Sequence, residues 1–242
     1  MAQVFGEVAA LYDDVRPGYP DGVRRGILDY GGPPDGIVEL GAGTGKGTEL
    51  LVGFGAWLTA LEPDPRMAAV LRTKFPRVDV VEAPFEQWSP PERRPGLVAC
   101  ALAWHWMDAA TRNRRAFDTL APGGALAVFG HKYAYADPAQ DRAIGDVLRS
   151  IDATVVDRAD HWVRDDVVAS GVWSDVEERR FTSYPVLPKQ RYLELMQTFA
   201  PFRRHTADEQ RRTLEGLDAA IDGFGGTVNL ELRTSLVLAR RP

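Results

Sequence analysis

The sequence predicts an α/β fold, a doubly wound sheet of mostly parallel strands, and three observations carry that expectation. The first is the stretch Gly36-Ile37-Val38-Glu39-Leu40-Gly41-Ala42-Gly43-Thr44-Gly45-Lys46-Gly47-Thr48, a short apolar run that breaks into alternate glycines and then opens a helix. The second is rhythm: apolar runs at 36–40, 57–61, 78–82 and 96–101 recur about every 20 residues, the spacing of short βαβ crossovers. The third is Glu62, which closes the second run 21 residues beyond Gly41. A chain of 242 residues with 45% apolar content can bury one core, so a single domain over 1–242 is expected.

The glycine spacing excludes two familiar loops. G-x-G-x-x-G cannot start at Gly41, because position 46 is Lys, nor at Gly43, because position 48 is Thr. The phosphate loop G-x-x-x-x-G-K-[ST] puts its first glycine on Leu40 and its hydroxyl on Gly47, which leaves no ligand for a Mg²⁺ ion. What stands is E-x-G-x-G-x-G. A carboxylate at Glu39 repels a pyrophosphate and suits a cofactor with an ammonium or sulfonium charge. From the place of Glu62 a carboxylate reaches the two hydroxyls of a ribose, so an adenosine-type cofactor is implied.

Taken in order, the flank predicts a helix from Val4 to Tyr12, a stiff turn at Pro17 and Pro20, and a helix from Asp21 to Tyr30. The turn Gly31–Asp35 leads into strand one, Gly36–Leu40. Strand two is Trp57–Leu61, and Pro63-Asp64-Pro65 starts the helix Arg66–Lys74. Strand three is Val78–Glu82. Strand four, Gly96–Ala101, is unbroken and apolar as a central parallel strand is. It ends in Leu102-Ala103-Trp104-His105-Trp106-Met107-Asp108, and the helix Ala109–Leu120 follows with Arg112, Arg114 and Arg115 expected in solvent. Ala121–Gly124 turns into strand five, Ala125–Phe129.

From 131 to 173 the rhythm fails. Helix-compatible segments at 138–151 and 164–170 make this stretch too structured for a loop, and its position suggests a helical insertion over the mouth of the sheet. Strand six is Val176–Tyr184, and helices are expected at 188–199 and 207–221. Thr227–Leu238 is the last strand, with Val228, Leu230, Leu232, Leu236 and Leu238 on one side.

A formal charge of -5 gives no long-range attraction to nucleic acid, so a small solute is the expected partner. The one cysteine, Cys100, lies in an apolar run and reads as a small buried hydrophobe; no disulfide can form within the chain. No run approaches the roughly 20 apolar residues of a membrane span, and the start MAQVFGEVAALYDD lacks the order of a signal peptide. A cytoplasmic protein is expected, as monomer or homodimer. The four histidines show no H-x-x-x-H or H-E-x-x-H spacing, so no metal is expected.

In sequence order, Tyr12-Asp13 with Arg16-Pro17-Gly18-Tyr19-Pro20, then VELGAGTGKGT, LEPD around Glu62, VVEAPFEQW, LAWHWMD and LAPGGALAVFG resemble the class I S-adenosylmethionine-dependent methyltransferases of the small-molecule kind. The resemblance is good over roughly residues 5–130 and looser beyond. It implies a seven-stranded Rossmann-like sheet whose last strand runs antiparallel between strands five and six, with a helical lid (131–173) between those two. Residues 1–30 would cover the cofactor, S-adenosyl-L-methionine, whose product is S-adenosyl-L-homocysteine. Its contacts would be Tyr12, Arg16, Glu39, Gly41, Ala42, Gly43, Gly45, Glu62, Pro63, Phe85, Glu86 and Ala103, with Arg16 on the methionine carboxylate. One departure concerns adenine: where the family has an acid or hydroxyl two positions before Glu86, this chain has Pro84, which has neither an N–H nor a polar tip.

The implied reaction moves a methyl group to an O, N or C atom of a small apolar, aromatic or carboxylate-bearing metabolite. A protein of this fold that binds the cofactor without methyl transfer is the alternative. Holding the nucleophile about 3–3.5 Å from the methyl carbon, in line, is most of the work. His105 is the first candidate base, though a histidine between two indoles can equally pack the strand–helix corner. His131, directly after strand five, is the second. Asp108 could orient His105, hold an amine or cap the next helix. Tyr19, Trp104, Trp106, Tyr133 and Tyr135 are candidate substrate contacts, each explicable by packing. Arg164, Arg179, Arg203 and Arg204 are equally placed to receive a carboxylate, and His161 and His205 read as surface residues.

Overall fold

The computed structural model describes residues 5–152 and 159–242. Its strands are β1 (Gly36–Leu40), β2 (Trp57–Leu61), β3 (Asp79–Val81), β4 (Leu97–Ala101), β5 (Ala125–Tyr135), β6 (Ser174–Ser183), β7 (Val186–Pro188) and β8 (Thr227–Arg240). They form one eight-stranded sheet in the order β3-β2-β1-β4-β5-β8-β6, with the short β7 also on β8. Strands β1 to β5 are parallel, and β8 runs antiparallel between β5 and β6. Strand order reverses between β1 and β4, which opens a crevice beyond their carboxyl ends.

The helices are α1 (Ala9–Val15), α2 (Asp21–Gly31), α3 (Thr48–Leu51), α4 (Pro65–Lys74), α5 (Arg112–Thr119), α6 (Pro138–Ile151), α7 (Trp162–Ala169), α8 (Lys189–Met196), α9 (Ala200–Arg204) and α10 (Ala207–Gly223). The period-2 alternation of the strands sorts the core into two layers. Val38, Leu40, Val98, Cys100, Leu126 and Val128 face Ala116 of α5 and Val167 of α7. Ile37, Leu97, Ala99, Ala127 and Phe129 face Val23 and Ile27 of α2 and Leu51 of α3. Each fully buried aliphatic side chain contributes roughly 1.5–3 kcal/mol. A third cluster joins Ile144, Tyr192, Leu195, Leu217 and Ile221 of α6, α8 and α10 to Val228, Leu230 and Leu232 of β8.

Several boundaries differ from the expectation. β5 does not stop at Phe129 but pairs with β8 as far as Tyr135↔Leu230. Gly130 is no break: it packs closely under Leu102, whose Cδ1 would lie 2.9 Å from a Cβ placed there. His131, Tyr133 and Tyr135 are therefore sheet residues. The two helices between β5 and β6 are present but serve different layers, α6 in the third cluster and α7 against α5. Much of the helical cover on the β8 side comes instead from α8–α10. Residues 153–158 of the expected lid, and Val4, lie outside the described residues.

Candidate active site at the glycine bend

The bend after β1 owes its shape to three glycines in the left-handed region: Gly41 (φ 65°), Gly43 (φ 60°) and Gly45 (φ 94°). A Cβ on Gly41 would stand 2.5 Å from that of Ala103, so the bend and the turn after β4 touch along bare backbone. Ala42 N–H donates to the Leu61 carbonyl at 2.9 Å, and Gly43 N–H to Glu62 Oε2 at 2.8 Å. The other oxygen of Glu62 accepts from Asp64 N–H at 2.8 Å. Glu62 is 6% exposed, and burial raises its pKa against the lowering effect of those two amides. Each oxygen keeps a further acceptor site, so the carboxylate can take two more hydroxyl donors.

Glu39 is a correction. The sequence puts its carboxylate beside a cationic ligand, yet the structure seals it below the bend at 0% exposure. Oε2 accepts from the Thr48 hydroxyl at 2.5 Å, and Oε1 has no hydrogen-bond partner. Gly47 must be glycine here, since its Cβ would fall 2.4 Å from Oε1. Burial pushes the Glu39 pKa up to about 8.

Beyond β4, Leu102 has φ 56°, a conformation that costs a bulky residue of order 1–3 kcal/mol and that clusters at working sites. It turns the chain into the 3-10 turn Trp104–Trp106. Trp104 is 1% exposed and its indole N–H donates to Asp166 at 2.8 Å, so it belongs to the core and not to the exposed wall of the crevice. His105 lies against Trp106 (4.7 Å between ring centres) and faces Trp162 edge-on at 6.4 Å. Trp106 is 37% exposed, with Phe5 against its edge and the Arg204 guanidinium 5.8 Å away over its ring. Asp108 does not cap a helix at Ala109: its carboxylate accepts from Ala110 N–H and the Thr111 hydroxyl, and α5 begins only at Arg112. Glu86 accepts from Asp108 N–H at 2.9 Å, while the neighbouring Phe85 ring is buried and Pro63 is exposed.

His131 is a second correction. Both ring nitrogens are engaged, Nε2 with the Gly18 carbonyl at 3.0 Å and Nδ1 with the Thr234 hydroxyl at 2.8 Å. A carbonyl only accepts, so Nε2 carries the proton, Nδ1 accepts from Thr234, and no lone pair remains for a substrate. Tyr19 stacks on the imidazole at 4.5 Å and is half-buried. The Tyr135 hydroxyl is hydrogen-bonded to Tyr192 in the third cluster, which takes it away from the substrate role. Tyr133 instead meets Arg16. That arginine is buried, donates from Nε and Nη2 to the hydroxyl and carbonyl of Thr198 (2.8 and 2.9 Å), and lies among the rings of Phe199, Tyr12 and Tyr133 at 4.0, 5.0 and 5.7 Å. Among the described residues no carboxylate forms an ion pair with it. A buried guanidinium without a counter-ion has the charge to attract an anion.

Of the other arginines considered, Arg164 pairs with Asp165, Arg179 with Asp29 and Glu177, and Arg203 with Glu7. A groove of about 630 Å³ lined by Gly18, Tyr19, Arg24, Lys46 and Glu49 lies beside the bend. Another of about 310 Å³ lies at the opposite end of the strands, where β4 and β5 begin. Among the described residues no cluster of three or more His, Cys, Asp or Glu could hold a metal, and no helix is long and apolar enough to cross a membrane.

Residues 37–124, which include the bend, Glu62 and the His105 turn, match the methyltransferase domain family. An uncharacterized methyltransferase of Mycobacterium tuberculosis is 33% identical over 126 residues, 52% of this chain and 51% of its own length. A trans-aconitate 2-methyltransferase of Methylobacterium radiotolerans is 36% identical over 94 residues, 38% of this chain and 36% of its own. The chain thus spans about half or less of the length of these curated relatives. The fold of a protein assigned as a type II methyltransferase from Anaeromyxobacter dehalogenans superposes with a TM-score of 0.71 at 20% identity, covering 93% of this chain and 97% of that one. Residues 37–124 are thus similar to a methyltransferase domain, and the whole chain shares the fold of methyltransferases.

One buried ion pair has no mark in the sequence. Arg112, expected in solvent, is buried and joins its guanidinium to Asp166 of α7, 54 residues away, while Nη1 donates to the Trp104 carbonyl at 3.0 Å. Arg115 is likewise engaged, donating to the carbonyls of Phe85 and Trp88. An arginine inside a polar helix carries no local mark of such a partner.

The placement of His131 gives the chain an acid-sensitive joint. Burial holds its pKa down at about 4, below the ordinary 6.5. The unfolded chain then binds the proton first, so the contribution is complete above about pH 6.5 and is lost as pH falls toward 4, by about 3 kcal/mol. Urea titrations of wild type and His131→Gln should diverge across that window, with the wild type losing more stability as pH falls. Parallel curves would count against the assignment.

Proposed function

We propose that this chain transfers a methyl group from S-adenosyl-L-methionine to an oxygen, nitrogen or carbon atom of a small metabolite at the crevice beyond β1, β2 and β4. The observation that carries the reading is the left-handed bend Gly41–Gly45, with Glu62 pinned to it at the tip of the next strand. The donor set fits the cofactor. Glu62 has acceptor capacity for the two ribose hydroxyls, the bend admits close approach, and Arg16 offers its carboxylate a counter-ion in a ring-lined recess. Gly41, Ala42, Gly43, Gly45, Ala103 and the backbone of Phe85 complete the cradle, and Glu39 lies beneath the bend as a buried carboxyl rather than a contact.

The cofactor supplies an electrophilic methyl carbon. This chain's part is to place the acceptor, exclude water and remove a proton where the acceptor carries one. His105 stands at the rim with Trp106 and Trp162 as an aromatic wall, and Arg204 above Trp106 suits an acidic acceptor, in keeping with the trans-aconitate activity of one relative. Calorimetry against S-adenosyl-L-methionine and S-adenosyl-L-homocysteine tests the first half, and no binding of either up to millimolar would end it. Tight binding without turnover over a broad acceptor panel would favour the non-transferring alternative. With an acceptor found, His105→Ala should lower kcat about a hundredfold or more with cofactor affinity kept. Unchanged turnover would assign His105 to packing.

A further inference from the structure

The turn that carries His105 is unusually dependent on a distant helix. It begins at a strained residue, Leu102, and its own short 3-10 turn has no side-chain cap. Four donors nevertheless converge on one carboxylate of α7: the Trp104 indole N–H (2.8 Å), Asn113 Nδ2 (2.9 Å), Arg112 Nε (3.1 Å) and Arg112 Nη2. Arg112 returns a bond to the Trp104 carbonyl, so Asp166 holds both the side chain and, through Arg112, the backbone of the residue just before His105. Asn113 passes the network on to Trp173 Nε1 at 2.9 Å. Trp162, one turn before Asp166 on the same helix, faces the His105 ring.

From this geometry we infer that Asp166 is a positioning residue, whose carboxylate fixes the place of the His105 ring at the rim of the crevice. The inference rests on the reading of that crevice as the methyl-transfer site. The physical argument is one of competing terms. A backbone held in a sparsely populated region returns to a commoner one unless its surroundings over-determine it, and here a single ionised group supplies most of the restraint. Burial opposes the charge of Asp166, but the hydrogen bonds from Arg112, Trp104 and Asn113 keep its pKa low, so the clamp is ionised at neutral pH. Asp166→Asn keeps the shape of the side chain while its amide nitrogen meets donors it cannot accept from. The turn should then relax while the glycine bend and Glu62 on the other side of the crevice keep their geometry.

The test uses the full chain labelled at histidine, with the ring resonances of His105 identified by their loss in His105→Gln. Asp166→Asn should shift and broaden the His105 resonances and leave those of His131 in place, with affinity for S-adenosyl-L-homocysteine unchanged. Trp104→Phe, which removes the indole donor with part of the ring and leaves Arg112 and Asn113 on Asp166, should give a smaller shift in the same direction, and Asp166→Glu should recover part of the wild-type position. With an acceptor in hand, Asp166→Asn should lower kcat up to about a hundredfold with KM kept, as expected for a small displacement of a reacting group. Unmoved His105 resonances in folded Asp166→Asn and Trp104→Phe would overturn the inference while leaving the proposed reaction intact. Failure of the cofactor to bind would instead strike the reaction and leave the resonance test standing.

Discussion

Replacing Glu62 by Ala is expected to reduce affinity for S-adenosyl-L-homocysteine by at least about a hundredfold. Two hydroxyl donors to an ionised carboxylate contribute on the order of 1.5–3 kcal/mol each, and 1.4 kcal/mol is a factor of ten. The same substitution strips the amides of Gly43 and Asp64 of their acceptor, so the bend itself should loosen. Glu62→Gln separates the two effects, because its one remaining oxygen can hold one amide but the side chain has lost its charge. Calorimetry read beside the melting temperature decides the matter. Wild-type affinity in a folded Glu62→Ala protein would remove Glu62 from the cofactor site.

The second large effect concerns alkaline pH. Glu39 has its folded pKa near 8, well above the 4.5 of a free glutamate, so the native state holds its proton longer than the unfolded chain does. Stability is therefore greatest below about pH 4.5 as far as this group is concerned and declines as pH rises through 8, by a few kcal/mol. Glu39→Gln, which cannot ionise, should melt higher than wild type at pH 8.5 and show a flatter profile between pH 5 and 8. The opposite ordering at pH 8.5 would mean that the carboxylate has a counter-charge in the folded protein. His131 acts in the reverse sense on the acid side, so only the difference between variant and wild type isolates either group.

What could be read from the chain and what could not follow from the range of the forces involved. The strands β1, β2 and β4 are legible because each is a run of apolar residues bounded by turn chemistry, and the bend because glycine at 41, 43 and 45 has a backbone reason. The antiparallel insertion of β8 came from the family resemblance, since no local pattern states which strands a strand will join. β5 runs past its expected end at Phe129 because its continuation rests on pairing with β8 about a hundred residues away, although His131, Tyr133 and Tyr135 keep the alternation going. His131 and Trp104 looked like site residues by position, and only their partners, Thr234 at a separation of 103 and Asp166 at 62, show that both are held in place by structure. That Arg16 and Tyr12 lie together is implied by the family resemblance and by nothing local, and the bonds of Arg16 to Thr198 have no trace in its neighbourhood.

The position of β8 bears on how the molecule assembles. It is the last of the described strands, yet it occupies an interior place, and among the described residues β6 pairs in the sheet with β8 alone. Until β8 arrives, β6 must wait and β5 presents a bare edge some hundred residues earlier in the sequence, a long-range closure that slows folding and invites exchange between molecules. The helices α8 to α10 hang on the same event, because β7 before them and β8 after them are stitched together. The half that carries the glycine bend can thus form early, whereas the half that holds Arg16 through Thr198 is completed only when the final strand slides home.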